Sequence, residues 1–511
     1  MQHNTSSVTP IFAILLMFLL ASCGTTEREV TVVDRDPDIT EVDTLLQPEA
    51  GESVLRIGEL NPIKSFDPLF AKNTTTRRAI LQLYEGLVRY DEENEIQPAG
   101  ARDWEISDDS LTYTFNLKRD IFFHDSEVFD TGVGRRVTAT DYKRAFHRMA
   151  SPEVPSVAAE LFLDHIKGFE SYYLEQREVY FEEDRYVDEI EGITVENDTT
   201  LIFELNEPSD KFLKKLATPY SVVYPREALT EEHDLRRNPV GTGPFAKDIA
   251  IGDSIFVMEK NERFSRSGQS DPTASLDRLE ILHIPNESRL YQQLSLGNLD
   301  MIVDLGPQMI GELVDDSGEL DSAYRDDYNL AVHVRSEPIR ISFNRNNRYQ
   351  LRLDHAKALA NQFSGDDLRD HLRIPSLEIS KNFEENSLAY YEELVDRFPK
   401  EDADQGLPIA FQRDTDVGVI TGELFAQVSD DLELSFMPRR ILSRDIFMYI
   451  ERPVLTYPEQ RVNPEDYELL RLTYDRHLIK TKETEGVYMN DLAWWLDLTH
   501  VSIPETEDPE I

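Results

Sequence analysis

Residues 111–118 alternate apolar and polar side chains, so Leu111, Tyr113, Phe115 and Leu117 share one face of a predicted strand. Residues 200–206 repeat the pattern with Leu201, Phe203 and Leu205. Between them the spacing becomes helical: Tyr142, Ala145, Phe146 and Met149 fall at i, i+3, i+4 and i+7, and Thr138 with Asp141 three residues on supplies a capping pair. Further along, 279–284 reads as a strand, Asn286 as a helix cap, Leu290 and Leu294 as a buried helical face, Gly297 as a stop and 300–304 as a second strand. A second strand–helix–strand run covers 407–411, 417–428 and 432–436. Two such βαβ units far apart in the chain predict two α/β lobes.

One apolar run, from Pro10 to Ala21, has a different character. It is too short to span a bilayer comfortably and suits the core of a signal peptide. Leu20-Ala21-Ser22-Cys23 resembles the bacterial lipobox, which implies lipidation at Cys23 and a second acyl chain for stable anchoring. Residues 1–10 lack the usual Lys or Arg. Residues 24–52 hold nine acidic and two basic residues with little apolar periodicity and are expected to form an acidic flexible tether. Within it, Asp34, Asp36 and Asp38 suggest a calcium loop, but Ile39 and Leu45 occupy the positions that need Gly and Glu.

The whole chain carries 98 acidic and 53 basic residues, a net charge of −45, which excludes a nucleic-acid partner because phosphates would be repelled. Cys23 is the single cysteine, so neither an internal disulfide nor a paired-cysteine metal site can form. No Gly-x-Ser-x-Gly, His-Glu-x-x-His or phosphate loop occurs, and no metal, cofactor or enzymatic activity is expected. His124-Asp125 has no second histidine at ligand spacing and reads as a structural loop.

Seven blocks over residues 55–344 follow one family's order: among them residues 81–87 around Tyr84, 101–107, 111–115, 121–125, 137–141 and 296–300. Asn238-Pro239-Val240-Gly241-Thr242-Gly243-Pro244-Phe245 is the most specific, and Ile341-Ser342-Phe343-Asn344 closes the series. In these blocks the chain resembles the extracellular solute-binding proteins of peptide and nickel ABC importers, the oligopeptide- and dipeptide-binding lipoproteins. The resemblance implies an α/β, two-lobed, type II periplasmic-binding-protein-like fold. The stretch after Asn344 is shorter than the family's, so a reduced second lobe is expected. The family's Asp-Tyr-Pro-Asp-Pro-like motif is missing, and Tyr457-Pro458-Glu459-Gln460 is a poor echo of it.

The expected organisation is a signal peptide (1–23), tether (24–52), first lobe with an extra subdomain (53–338), divergent second lobe (339–480) and a C-terminal return to the first lobe (481–511). The glycines near Thr242 allow backbone conformations closed to other residues, either as a plain turn or beside a ligand. Candidate ligand-binding residues are Tyr84, Thr242, Phe245, Asn344, Tyr488, Asn490, Trp494 and Trp495; otherwise one tryptophan fills a core and the other is exposed. Arg439 and Arg440 suit a carboxylate ligand or surface ion pairs. The resemblance implies a monomeric, lipid-anchored receptor at the cell envelope, on the periplasmic or extracellular face. It would capture peptides or a similar small solute for the membrane subunits of an ABC importer by closure of two lobes. The alternative is a degenerate member acting as a non-transport interaction or sensing lipoprotein. Gly24 after the cysteine points to the outer membrane.

Overall fold

The computed structural model describes residues 51–503 except 180, 182–183, 265–275, 316, 334–338, 346, 375, 384–387, 401–405, 412–414, 430, 439–446, 452–465, 491 and 493. The lipobox, the tether, Arg439, Arg440 and residues 457–460 therefore lie outside the described residues.

The strands fall into blocks along the chain. The first is β1 (Val54–Glu59). Then come β2 (Val88–Tyr90), β3 (Ile96–Pro98), β4 (Ala101–Ile106), β5 (Thr112–Leu117), β6 (Ile193–Asn197) and β7 (Thr200–Glu204). They are followed by β8 (Phe245–Ile251), β9 (Ile255–Lys260), β10 (Arg278–His283), β11 (Met301–Ile302) and β12 (Tyr328–His333). The last group is β13 (Ile339–Asn344), β14 (Glu378–Lys381), β15 (Leu407–Phe411), β16 (Leu434–Pro438), β17 (Met448–Glu451), β18 (Asp466–Thr473) and β19 (Arg476–Thr481). One sheet has the order β12-β19-β11-β1-β10-β9-β8 and a second β14-β18-β13-β17-β15-β16. A four-stranded sheet, β4-β5-β7-β6, and the β2-β3 pair complete the set among the described residues.

Local patterning accounts for these elements. In β5, Tyr113, Phe115 and Leu117 point inward and alternate with half-buried neighbours. The helix α1 (Thr74–Leu83) starts at Asn73, whose side chain accepts from the Thr76 amide at 2.7 Å. In α2 (Ala139–Met149), Asp141 accepts both the amide and the hydroxyl of Thr138 at 2.9 Å, and Tyr142, Ala145, Phe146 and Met149 are buried. The Phe146 ring meets Phe203 edge-on at 5.1 Å, which locks this helix onto the four-stranded sheet.

In the first βαβ unit, α3 (Glu287–Ser295) connects β10 to β11, which lie parallel to β1 on its two sides. Its second strand is shorter than the predicted 300–304. Asp300 turns its carboxylate onto the Arg56 amide at 2.7 Å, and Asp304 leaves the strand at φ +57°. In the second unit, α4 (Thr415–Ala426) joins the adjacent parallel strands β15 and β16; β15 has the expected bounds, while the helix begins two residues early and β16 two residues late.

The chain passes between the two large sheets twice. It leaves β12, which ends at His333, for β13, which starts at Ile339, and returns from β18 to β19 through Tyr474 and Asp475. β12 pairs antiparallel with β19 in one sheet, and β13 pairs antiparallel with β18 in the other. After β19, the segment up to residue 503 packs into the core beside the first sheet, where Leu492, Trp494, Leu498 and Val501 are buried.

Candidate functional site

The end of α1 is where the sequence blocks converge. After Leu83 the chain extends at Tyr84, and residues 84–90 run across the base of a pocket. The 240–245 turn packs against the last turn of the helix, with the Gly243 amide donating to the Leu83 carbonyl at 3.0 Å. A Cβ on Gly241 would lie 1.9 Å from the Leu83 oxygen, and one on Gly243 would lie 2.4 Å from the Gln82 oxygen. Neither glycine has a positive φ, so the reason for glycine here is close approach of two backbones rather than an unusual conformation.

His124 holds this turn from the other side. Its Nε2 is 3.1 Å from the Gly243 carbonyl, and its Nδ1 accepts the Gly241 amide at 3.3 Å. That pattern assigns the proton to Nε2. Burial pushes the imidazole pKa down to about 4, outweighing the Gly243 hydrogen bond, so the ring is neutral at pH 7. Its role is structural. Thr242 then accepts the Glu85 amide on its hydroxyl at 3.2 Å, fixing the start of the pocket floor.

The opposite wall comes from the far end of the chain. Trp495 donates its indole N–H to the Tyr90 carbonyl at 3.2 Å, and Trp494 meets the Tyr90 ring edge-on at 6.0 Å. Asn490 donates to the Asp91 carbonyl at 3.2 Å, and Gln82 donates to the Leu496 carbonyl at 2.9 Å. Together they enclose about 60 Å³, with Tyr84, Glu85, Tyr90, Phe264, Trp495 and Asp497 among the lining residues.

Of the sequence candidates, Tyr84 and Trp495 line this pocket. Thr242 stands directly behind its floor, while Asn490 and Trp494 are fully buried behind Trp495. Phe245 is buried at the start of β8. Tyr488 is about half exposed, and Asn344 ends β13 in the other large sheet; neither lines the pocket. Both tryptophans are buried, at 0% and 6% exposure, so the alternative of one core and one surface tryptophan is set aside.

A second cluster sits where the chain re-enters the first sheet. Arg78 on α1 grips Glu59 at 2.8 and 2.9 Å and Asp304 at 2.5 Å. The other oxygen of Asp304 takes Arg476 at 2.7 Å, and Arg476 also donates to the Leu492 carbonyl at 3.2 Å. Burial raises the Asp304 pKa, but Arg476 and Arg78 outweigh it and hold the carboxyl well below the usual range. Glu59 is raised, because burial there exceeds the help from Arg78. Sequence reading missed this cluster, and no local pattern marks it.

These features define the class: two α/β lobes joined by two strand crossings, with a pocket on one of them. The fold matches solved type II periplasmic binding proteins. Examples are a Borrelia burgdorferi oligopeptide-binding protein (TM-score 0.67, 16% identity, 89% of this chain and 100% of that one) and the Helicobacter pylori DppA complex with the peptide STSA (0.64, 17%, 92% and 100%). The profile of the bacterial extracellular solute-binding proteins, family 5 (middle), matches residues 95–361, just over half of the chain, and the chain belongs to that family. Curated relatives include the dipeptide-binding protein DppE of Bacillus subtilis, 27% identical over 53% of this chain and 47% of its own length. Heme-binding protein A of Haemophilus influenzae is 29% identical over 47% and 41%. The matched region thus spans less than half of each of these two relatives.

Proposed function

We propose that this protein is a lipid-anchored solute receptor that captures a peptide or a similarly small solute by closure of two lobes and presents it to an ABC importer. The observation that carries this reading is the pairing of a pocket beside the α1 end with two crossings between the large sheets among the described strands. A connection of two short segments permits the lobes to rotate about it while each core stays packed. The pocket's wall combines aromatic rings with a few oriented polar groups, the composition that small-solute sites use. Binding of this kind needs no bond-making chemistry, so the protein acts as a receptor and not as an enzyme. Residues 53–338 and 481–511 would form one lobe and 339–480 the other, with Cys23 carrying the anchor on the periplasmic or extracellular face. Peptide-binding relatives support the solute class.

Native mass spectrometry of the intact chain, purified in detergent without denaturation, tests the proposal. A discrete added mass that fragments to peptide ions, or saturable 1:1 uptake of a supplied peptide, is the expected result. A bare mass that no peptide mixture changes would refute it.

A further inference from the structure

The crossing from β18 back to β19 is two residues long, Tyr474 and Asp475. On the side of the second large sheet it is fixed by Ser376, whose hydroxyl accepts the Asp475 amide at 2.9 Å. On the side of the first sheet the next residue is Arg476, which is buried and divides its guanidinium between two places. Its Nε donates to Asp304 at 2.7 Å, and one terminal nitrogen reaches the carbonyls of Leu492 at 3.2 Å and Asn490 at 3.4 Å.

Those two carbonyls begin the segment that carries Trp495 and Leu496 into the pocket wall. The same wall is held from α1. Arg78 donates to the other oxygen of Asp304, and one helical turn on, Gln82 donates to the Arg78 carbonyl at 3.2 Å and to the Leu496 carbonyl at 2.9 Å. The bonds form a closed ring that runs from Arg476 through Asp304, Arg78 and Gln82 to Leu496, then back along the chain to Leu492 and Arg476. A guanidinium is planar and its donors have fixed directions. The Arg476 backbone therefore cannot turn without moving these carbonyls or breaking bonds of a buried charge, which is costly. Rotation of the second lobe about a two-residue connection turns that backbone first.

We propose that Arg476 is a positioning residue that couples rotation at this crossing to the Trp495 wall of the pocket. By reciprocity, a solute that shifts the wall shifts the balance of lobe orientations, and a change of orientation shifts the wall. That a solute drives the coupling rests on the proposed function; the coupling itself belongs to the ligand-free chain.

The test is a double-variant cycle read as the distance between the lobes. Spin labels at Asp248→Cys on β8 and Glu392→Cys on the helix Leu388–Arg397, both exposed positions, report that distance by double electron–electron resonance in the full chain carrying Cys23→Ser. Gln82→Met cuts the ring at its wall end. It should change the ratio of the short- and long-distance populations about twofold or more while Arg476 is present. It should leave that ratio unchanged in Arg476→Lys, whose single ammonium cannot serve the carboxylate and both carbonyls together. If Arg476→Lys does not fold, the pair Asp304→Ala with Arg476→Met, which removes both charges, takes its place in the cycle. Loss of packing alone would lower Tm but leave the two effects on the distance additive. Additive effects, or a distance that none of the variants changes, would overturn the inference. Native mass spectrometry of the parent with a tripeptide mixture decides the receptor reading separately. Peptide uptake with additive distances would remove the coupling and keep the receptor, whereas coupled distances without uptake would keep the role of Arg476 and remove the receptor.

Discussion

Replacing Asp304 with Ala tests the strongest electrostatic claim made for the fold. The Asp304 carboxylate bridges Arg78 and Arg476, whose side chains are only 4% and 2% exposed. Arg78 keeps Glu59 after the change, so the loss falls mainly on Arg476, which gives up its Asp304 ion pair and keeps the Leu492 carbonyl among its partners. Removing one partner of a buried pair in this way costs about 3–5 kcal/mol, because the remaining charge stays desolvated. An unfolding entropy of about 2.1 cal/mol/K per residue over roughly 300 residues of the first lobe gives about 0.6 kcal/mol per degree, so Tm should fall by about 5–8 °C. Scanning calorimetry reads this directly. Adding Arg476→Met removes the stranded charge and should recover most of the loss, since an apolar replacement of a buried pair is close to neutral. A Tm within about 1 °C of the parent for Asp304→Ala, or a double variant no better than the single one, would refute the reasoning.

Gly241→Ala places a methyl group 1.9 Å from a backbone oxygen and should destabilise by at least about 1–3 kcal/mol, measurable by denaturant unfolding. His124 has a folded pKa near 4, below its unfolded value of about 6.5. Its contribution is therefore fully present above pH 6.5 and is lost as pH falls toward 4, amounting to about 3 kcal/mol. His165 shifts in the same direction, so the difference in pH dependence of Tm between the parent and His124→Gln isolates the His124 share. Cys23→Ser should move the protein from the membrane fraction to the soluble fraction and abolish incorporation of labelled fatty acid.

What could be read from the sequence was what neighbouring residues decide. The α2 face, its Thr138–Asp141 cap and the β5 alternation need only side chains within one or two turns of each other, and each is present as expected. The 238–245 block reads in sequence as a turn, plain or beside a ligand, but the reason for its glycines depends on a helix end some 160 residues earlier, which no local pattern reports. The pocket has the same difficulty, being assembled from chain segments near 81–90, 217–222, 264 and 495–499. Asp304 meets partners 226 and 172 residues away, and both arginines look in sequence like ordinary surface charges. Strand ends shifted where a carboxylate captured a backbone amide, as at Asp300, a choice that propensity does not encode.

The bond from Gln82 to the Leu496 carbonyl closes a loop of 414 residues. Everything between, including the entire second large sheet, must leave the ribosome before the first lobe can finish its core around Trp494. Contacts so distant in sequence are slow to form, and until they do, the apolar groove that Leu492, Trp494 and Leu498 will fill stands open to proteases and to other unfolded chains. The segment that completes the pocket is made 414 residues after Gln82, so a nascent chain lacks that closing piece through most of the synthesis of the folded part.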